Sequence, residues 1–232
     1  MQDLLKKAYD AGDFRRAGHT VIELLASQLE QSHDADGFHT INYQSPESQL
    51  NYWTNDFNQA FIESPDALFE NIIQNSVNLH SPGYLGHQVS VPLPLTVLTS
   101  AVMSYMNNGM AIYEMGMAGN AMEKIVIAHL NSKFQLGEDA SGIVTSGGTL
   151  GNLTALLAAR ASVTGVWENG ASDSEQLAIM VSAEAHFSID RAARIMGLGK
   201  KGIIKVPVND KFQMQTEALE TSYKNAIAGG LK

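Results

Sequence analysis

Apolar side chains dominate four stretches in the first part of the chain, and their spacing predicts helices. The predicted helices span residues 13–29, 64–78, 94–106 and 120–134. Ser64 is the expected cap of the second helix, and Pro65 is suited to its first helical position. Asn107 and Gly109 are expected to end the third helix. Residues 31–51 are polar and rich in turn formers, so we predict a connecting loop there.

After residue 141 the pattern changes to short apolar runs that alternate with helical segments. Strands are predicted at 142–145, 178–182 and 203–207, and helices at 149–163, 187–197 and 216–228. Strands that alternate with helices imply parallel pairing through right-handed crossovers. This part is therefore predicted to be an α/β sheet flanked by helices. Residues 165–174 are predicted to be a disordered excursion.

Composition then excludes several classes of protein. The 232 residues, 44% of them hydrophobic, suffice for one α/β domain with an N-terminal appendage. A formal net charge of −9 argues against nucleic acids and anionic membranes as partners. The N-terminus does not have the pattern of a signal peptide, and the uncharged stretch 88–113 is too polar for a membrane span. The absence of cysteine excludes disulfides and zinc–thiolate sites and fits a cytoplasmic location.

The first candidate site is a turn between the strand at 142–145 and the helix at 149–163. Backbone N–H groups and the positive end of a helix dipole favour an anion at such a turn. Unlike a nucleotide P-loop it has no lysine after its glycines, and Val144 stands where a serine-hydrolase elbow needs glycine. The residues alone are equally compatible with an anion site and with an ordinary capped turn. The turn consists of Ser146, Gly147, Gly148 and Thr149.

A second polar turn follows the strand at 178–182. It contains His186, and Ser188 is available to cap the next helix. Because the carboxyl ends of parallel strands meet at one edge of a sheet, both turns are expected to face one crevice. A buried capping histidine is the alternative interpretation of His186.

Together, the two turns resemble those of the group II pyridoxal-phosphate-dependent decarboxylases, which act on glutamate, aromatic amino acids or diaminobutyrate. The resemblance implies an α/β protein of pyridoxal-phosphate fold type I, with the first half of an aspartate aminotransferase-like large domain. It divides the chain into an N-terminal helical and substrate-loop segment, 1–90, and the first part of the cofactor-binding domain, 91–232. The matching residues are 145–149, Asn152, 155–160, Ala185, His186, Ser188, Arg191 and Ala192.

The resemblance also implies roles for individual residues. The serine, the threonine and both glycines of the turn at 146–149 would bind the phosphate of pyridoxal 5'-phosphate. His186 would lie over the cofactor ring, near the bond that breaks. Gln88 and Ser90 would contact the amino acid substrate, and the sequence around Gln88 favours an acidic or diamino substrate. No metal is expected, because His33 and His39 match no ligand spacing.

Members of this family are considerably longer than this chain, and the match ends at Lys232. The aspartate that pairs with the cofactor and the lysine that binds it covalently would lie beyond that residue. The resemblance therefore implies that these 232 residues alone are inactive. An aminotransferase or lyase of the same fold and a non-catalytic truncated subunit remain open as alternatives. The apolar stretch 88–113 and the methionines around it predict a homodimer.

Overall fold

The computed structural model describes residues 2–33, 40–59, 65–170 and 176–232. The chain forms two units, Met1–Asn107 and Asn108–Lys232. Within the described ranges, every helix is too short or too polar to cross a lipid bilayer. The helices of the N-terminal unit are α1 (Gln2–Ala8), α2 (Ala11–Ser32), α3 (Pro46–Gln59), α4 (Pro65–Gln74) and α5 (Pro94–Met106).

The packing of the N-terminal unit joins the end of α2 to the segment that follows α4. The buried Asn78 donates from Nδ2 to Ser32 Oγ at 2.8 Å, and Ser32 Oγ donates to the Gln28 carbonyl at 2.6 Å. The Asn78 amide also donates to the Thr40 carbonyl. Because each of these buried polar groups has a hydrogen-bond partner, the bonds join the two segments without the cost of an unpaired buried group.

Two predictions for this unit need correction. The predicted loop at 31–51 is wrong from Pro46 onward, where α3 begins. Ser45 Oγ accepts the Ser48 amide at 3.1 Å and caps the helix, so Ser45 and Pro46 start a helix rather than a turn. Helix α4 ends at Gln74 instead of 78. Ser64, its predicted cap, lies outside the described residues, whereas α5 is confirmed at 94–106.

The C-terminal unit begins with a short 3-10 helix, Tyr113–Met115, and then alternates helices with two strands. The alternation predicted from the sequence is confirmed from residue 178 onward, with α10 at the predicted bounds. The remaining elements are α6 (Met117–Phe134), α7 (Gly148–Val163), α8 (Val166–Asn169), β1 (Ile179–Ser182), α9 (Phe187–Ile195), β2 (Ile203–Val206) and α10 (Thr216–Ala228).

Strands β1 and β2 pair in parallel, with α9 as the crossover between them. Ile179 lies opposite Ile203, and the pairing continues in register to Ser182 opposite Val206. The buried face of helix α9 consists of small residues, Ser188, Ala192 and Ala193, which allow the helix to pack closely on its neighbours. An ion pair of 2.7 Å between Lys205 and Asp190 also joins β2 to this helix. The buried apolar residues are Ala192, Ala193, Met196, Val206 and Ala226.

Two predictions for the C-terminal unit are wrong. Residues 142–145 pair with neither described strand. The Val144 amide donates instead to Glu123 Oε1 on α6 at 2.8 Å, which occupies a donor that a neighbouring strand would need. In the stretch predicted to be disordered, 166–169 forms α8 because the Gly165 carbonyl accepts amides of its first turn. The rest of that stretch beyond Gly170 lies outside the described residues.

Candidate functional site

Helices α7 and α9 lie side by side and run in the same direction. Near their starts, Asn152 Nδ2 donates to Ser188 Oγ at 2.8 Å. Near their ends, Arg160 Nη1 donates to the Met196 carbonyl at 3.1 Å. Since both bonds join residues 36 positions apart, the two helices advance together. Their N-terminal N–H groups and positive dipole ends therefore lie at the same edge of the unit.

The N-terminus of α7 has backbone donors available for an anion. Gly147 is its N-cap residue, and no side chain in the described part of the chain caps it. The first bonds of the helix run from the amides of Leu150 and Gly151 to the Gly147 carbonyl, each at 3.1 Å. The amides of Gly148 and Thr149 come before the first of these helical bonds. They can therefore donate hydrogen bonds to an anion bound at the helix end.

A cavity of about 370 Å³ opens at this helix end. A Cβ built on Gly147 or Gly148 would meet no atom within 4 Å, so the two glycines leave the space in front of the amides open. The four residues predicted to bind phosphate all line this cavity, and their binding role stays a prediction. The lining residues are Ser146, Gly147, Gly148, Thr149, Leu150, Leu153, Ser188, Arg191, Ala192 and Ile195.

Arg191 is a candidate site residue that the sequence-based assignment of roles missed. Its guanidinium carbon lies 4.8 Å from the centre of the Phe187 ring, a cation–π contact that orients the charge. It lines the cavity, and a guanidinium is a group that binds phosphate well in proteins. Its spacing was a usable signal, because Arg191 follows Ser188 by three residues and therefore shares its helix face.

His186 begins α9 and caps it through its own side chain. Its Nδ1 accepts the Ser188 amide at 3.3 Å and lies 2.8 Å from Ser188 Oγ. The capping role predicted for Ser188 is thus wrong, because the histidine two residues earlier provides the acceptor. His186 is exposed, unlike the buried capping histidine considered from the sequence. Its ring remains accessible for stacking.

The predicted substrate residues Gln88 and Ser90 belong to the N-terminal unit, between α4 and α5, and both are exposed. The loop that carries them is closed by a 3.0 Å contact between His80 Nε2 and the Pro92 carbonyl. The Tyr84 hydroxyl donates to the His87 carbonyl at 3.3 Å inside it. Ordered loops often carry binding residues, and contact of this loop with substrate stays a prediction.

The predicted absence of a metal rested on the histidines near residue 33. His33 is exposed, and His39 lies outside the described residues. Across the described ranges, no group of three or more histidine, aspartate or glutamate side chains is arranged to hold a metal ion.

The donor set at the cavity fits a phosphate monoester with a flat ring attached. Free amides, the hydroxyls of Ser146 and Thr149 and the Arg191 guanidinium suit the phosphate. His186 is not part of the cavity lining, but its exposed imidazole lies 2.8 Å from Ser188 Oγ, which is, and an imidazole suits a flat ring. Among the described residues that line the cavity, none is a lysine or a carboxylate. The residues present therefore fit the phosphate and the ring of the cofactor that the sequence suggests, and their roles in binding stay predictions.

Known proteins resemble this chain in sequence and in fold. Residues 78–231 match the family model described as the pyridoxal-dependent decarboxylase conserved domain. A glutamate decarboxylase-like protein of Gibberella zeae is 34% identical over 240 aligned positions, covering 96% of this chain and 44% of that protein. An L-aspartate decarboxylase of Metarhizium robertsii is 31% identical over 164 positions, covering 70% of this chain and 33% of that protein. The chain thus spans less than half the length of these relatives.

A solved structure extends the comparison to the fold. It is the glutamate decarboxylase domain of diaminobutyrate-pyruvate transaminase and L-2,4-diaminobutyrate decarboxylase from Vibrio parahaemolyticus. It matches with a TM-score of 0.84 at 23% identity, covering 99% of this chain and 53% of that one. This likeness confirms the predicted α/β fold of type I, and the family match covers most of the chain. The chain therefore belongs to the pyridoxal-dependent decarboxylase family, whose cofactor is pyridoxal phosphate.

Proposed function

We propose that this chain is the phosphate-binding part of an enzyme that decarboxylates an acidic or diamino L-amino acid with pyridoxal phosphate. The observation that carries the proposal is the parallel packing of α7 and α9. It brings an uncapped glycine turn and the His186 cap to the same edge of the unit. The relatives named for glutamate and L-aspartate support an acidic substrate.

In this proposal the turn at 146–149 anchors the cofactor by its phosphate. The Gly148 and Thr149 amides donate along the helix axis, and Arg191 adds a guanidinium from α9. Hydrogen bonds to a charged group contribute roughly 1.5–3 kcal/mol each, so these donors form the main non-covalent anchor. A fixed phosphate also fixes the position of the rest of the cofactor relative to α9.

His186 would contribute at the cofactor ring. The bound cofactor supplies an electron sink for the charge left when the carboxylate departs. An imidazole stacked on the ring contributes about 0.5–1.5 kcal/mol and restricts its tilt. Gln88 and Ser90 would orient the amino acid so that the bond to its carboxylate is aligned for cleavage, since positioning supplies much of such catalysis.

We further propose that residues 1–90 form the helical and substrate-loop segment and residues 91–232 the first part of the cofactor-binding domain. The covalent lysine and the aspartate for the ring nitrogen would come from another part of a longer polypeptide, in the cytoplasm. The described cavity lining supports this origin of the lysine and the aspartate, because it contains neither residue type. Lys205 is already paired with Asp190 at 2.7 Å. The 232 residues alone would then bind cofactor weakly and leave the reaction uncatalysed.

The proposed activity is tested by supplying the full-length protein with pyridoxal phosphate and single amino acids. We expect carbon dioxide release from L-aspartate, L-glutamate or L-2,4-diaminobutyrate, and slower release from L-tryptophan. Transfer of the amino group to a keto acid without carbon dioxide release would instead establish an aminotransferase, since the phosphate cavity does not determine which bond breaks. If the protein forms neither product, the result would favour a non-catalytic subunit.

We also propose that the protein works as a homodimer that covers the apolar side chains of α5. Leu95 is 73% exposed and Val102 is 61% exposed, and neighbouring exposed apolar side chains of this kind mark an interaction surface. Sedimentation of the full-length protein at micromolar concentration should give a dimer, and Val102→Glu should shift it toward monomer because an unpaired charge is costly to bury. Ser27→Glu on the exposed part of α2 is the charge-matched control. A monomeric parent protein would contradict the proposal.

A further inference from the structure

We infer that Asn152 positions His186 through Ser188, and that this hydrogen-bond relay holds the imidazole in the tautomer with its proton on Nε2. The relay crosses from α7 to α9 at the edge where the cavity opens. Neither Asn152 nor His186 lines the cavity, whereas Ser188 does. Asn152 is therefore a positioning residue that acts through its neighbour.

The first step of the relay is set by the Asn152 amide. Its Nδ2 lies 2.8 Å from Ser188 Oγ and can only donate, so the serine oxygen is the acceptor. Ser188 is 0% exposed, so water does not compete for its hydroxyl. The serine proton must therefore go to another protein acceptor, or a buried donor would be left unpaired at a cost.

The second step is set by the histidine. Nδ1 of His186 lies 2.8 Å from Ser188 Oγ and is the nearest acceptor for the hydroxyl proton. The Ser188 backbone amide donates to the same nitrogen at 3.3 Å. Two donors that face Nδ1 leave no place for a proton on it, so a neutral His186 carries its proton on Nε2.

The consequence concerns the exposed edge of the ring. Nε2–H is a donor and attracts a carboxylate or other anion, whereas the opposite tautomer would present a lone pair and repel it. This consequence rests on the proposed function, in which an amino acid carboxylate lies close to His186. The tautomer itself follows from the three hydrogen bonds alone and holds without cofactor.

Nitrogen NMR of the 15N-histidine-labelled 232-residue chain tests the relay directly. Spectra at about pH 9 report neutral histidines, and His186→Gln assigns the signal. We expect Nδ1 to resonate as an unprotonated acceptor and Nε2 as a protonated nitrogen. A His186 signal with the proton on Nδ1 would overturn the inference.

Asn152→Asp replaces the donor of the first hydrogen bond by an acceptor, with little change in the shape of the side chain. The carboxylate accepts the Ser188 hydroxyl, so Ser188 Oγ becomes an acceptor for Nδ1–H of His186. A hydrogen bond to a charged group is stronger than one between neutral groups, so the tautomer ratio should move toward Nδ1–H by about tenfold or more. Asn225→Asp carries the same charge on an exposed position of α10 and should leave the ratio unchanged. An unchanged ratio in Asn152→Asp would refute the relay.

Ser188→Ala is the second variant, for the case in which circular dichroism shows that Asn152→Asp does not fold. It removes the hydroxyl and leaves only the backbone amide on Nδ1, so the preference for Nε2–H should fall several-fold. A preference that does not fall would again refute the relay.

Cofactor binding separates this inference from the proposed function. If the parent chain shows the Nε2–H tautomer but His186→Gln in the full-length protein binds pyridoxal phosphate unchanged, the relay stands and the ring contact is wrong. If Asn152→Asp leaves the tautomer unchanged while His186→Gln weakens cofactor binding, the ring contact stands and the relay is wrong.

Discussion

Gly148→Val is expected to weaken the binding of pyridoxal phosphate to the full-length protein by about five- to 150-fold. A Cβ at this position meets no protein atom within 4 Å, so the added methyl groups extend into the space in front of the α7 amides. That space is where the phosphate is proposed to bind. Inserting methyl groups into a filled space costs roughly 1–3 kcal/mol, which corresponds to this loss of affinity. The backbone does not require glycine here, because Gly148 is the first helical residue and has no positive φ.

Titration of the cofactor-free protein with pyridoxal phosphate, followed by absorbance, measures the effect. Gly18→Val is a matched control, because Gly18 lies inside α2 and a Cβ there also meets no atom within 4 Å. Both substitutions place a β-branched residue in a helix, so both carry a similar small propensity cost. Equal cofactor affinity in the two variants would mean that the glycine turn has no part in binding phosphate.

Local signals in the sequence predicted the elements whose ends are set by a single residue. Helix α5 begins at Pro94 and ends at Met106, and the residue that caps its end, Asn107, has a left-handed φ of 48°. Both ends are visible in the sequence, as a proline start and an asparagine stop. The same kind of signal failed at Ser45 and Pro46. A serine followed by proline is compatible with a turn and with a capped helix start, and the hydrogen bond that decides between them forms only in the helix.

Features that depend on contacts distant in sequence could not be predicted from the local pattern. Residues 142–145 have the apolar character of a strand, but a strand exists only when another strand pairs with it. The Glu123 carboxylate takes the Val144 amide across 21 positions instead. The link from Asn152 to Ser188 spans 36 positions and depends on how α7 packs on α9. Both residues were part of the matching motif, but their hydrogen bond needed the structure.

The site was predictable to the extent that its chemistry is local. A glycine turn before a helix creates amide donors wherever it occurs, so the phosphate residues at 146–149 could be named from the sequence. For Arg191 the sequence offered only its spacing from Ser188, because its place at the cavity also depends on the direction of α9 and on its contact with the Phe187 ring. The exposure of His186 likewise follows from its place at the helix cap.

The purified 232-residue chain is expected to show no decarboxylase turnover when it is supplied with pyridoxal phosphate. Covalent attachment needs a lysine amine at the cofactor aldehyde, and no lysine lines the cavity within the described part of the chain. No described carboxylate lines it either, so the cavity lining supplies no group to keep the ring nitrogen protonated. The cofactor would be held only by phosphate contacts and by stacking on His186, the latter worth about 0.5–1.5 kcal/mol.

Carbon dioxide release from L-aspartate should therefore equal the protein-free blank, while the full-length protein serves as the positive control. Borohydride treatment of the chain with cofactor should give no adduct at one specific lysine, and dialysis should remove the cofactor completely. Lys205 is the lysine to examine in the peptide map, because it lies on β2 beside α9. Its amine lies 2.7 Å from Asp190 and is engaged in that ion pair, so it is a poor candidate for covalent attachment. Turnover above the blank, or a stoichiometric adduct at any single lysine, would show that these residues hold a complete site.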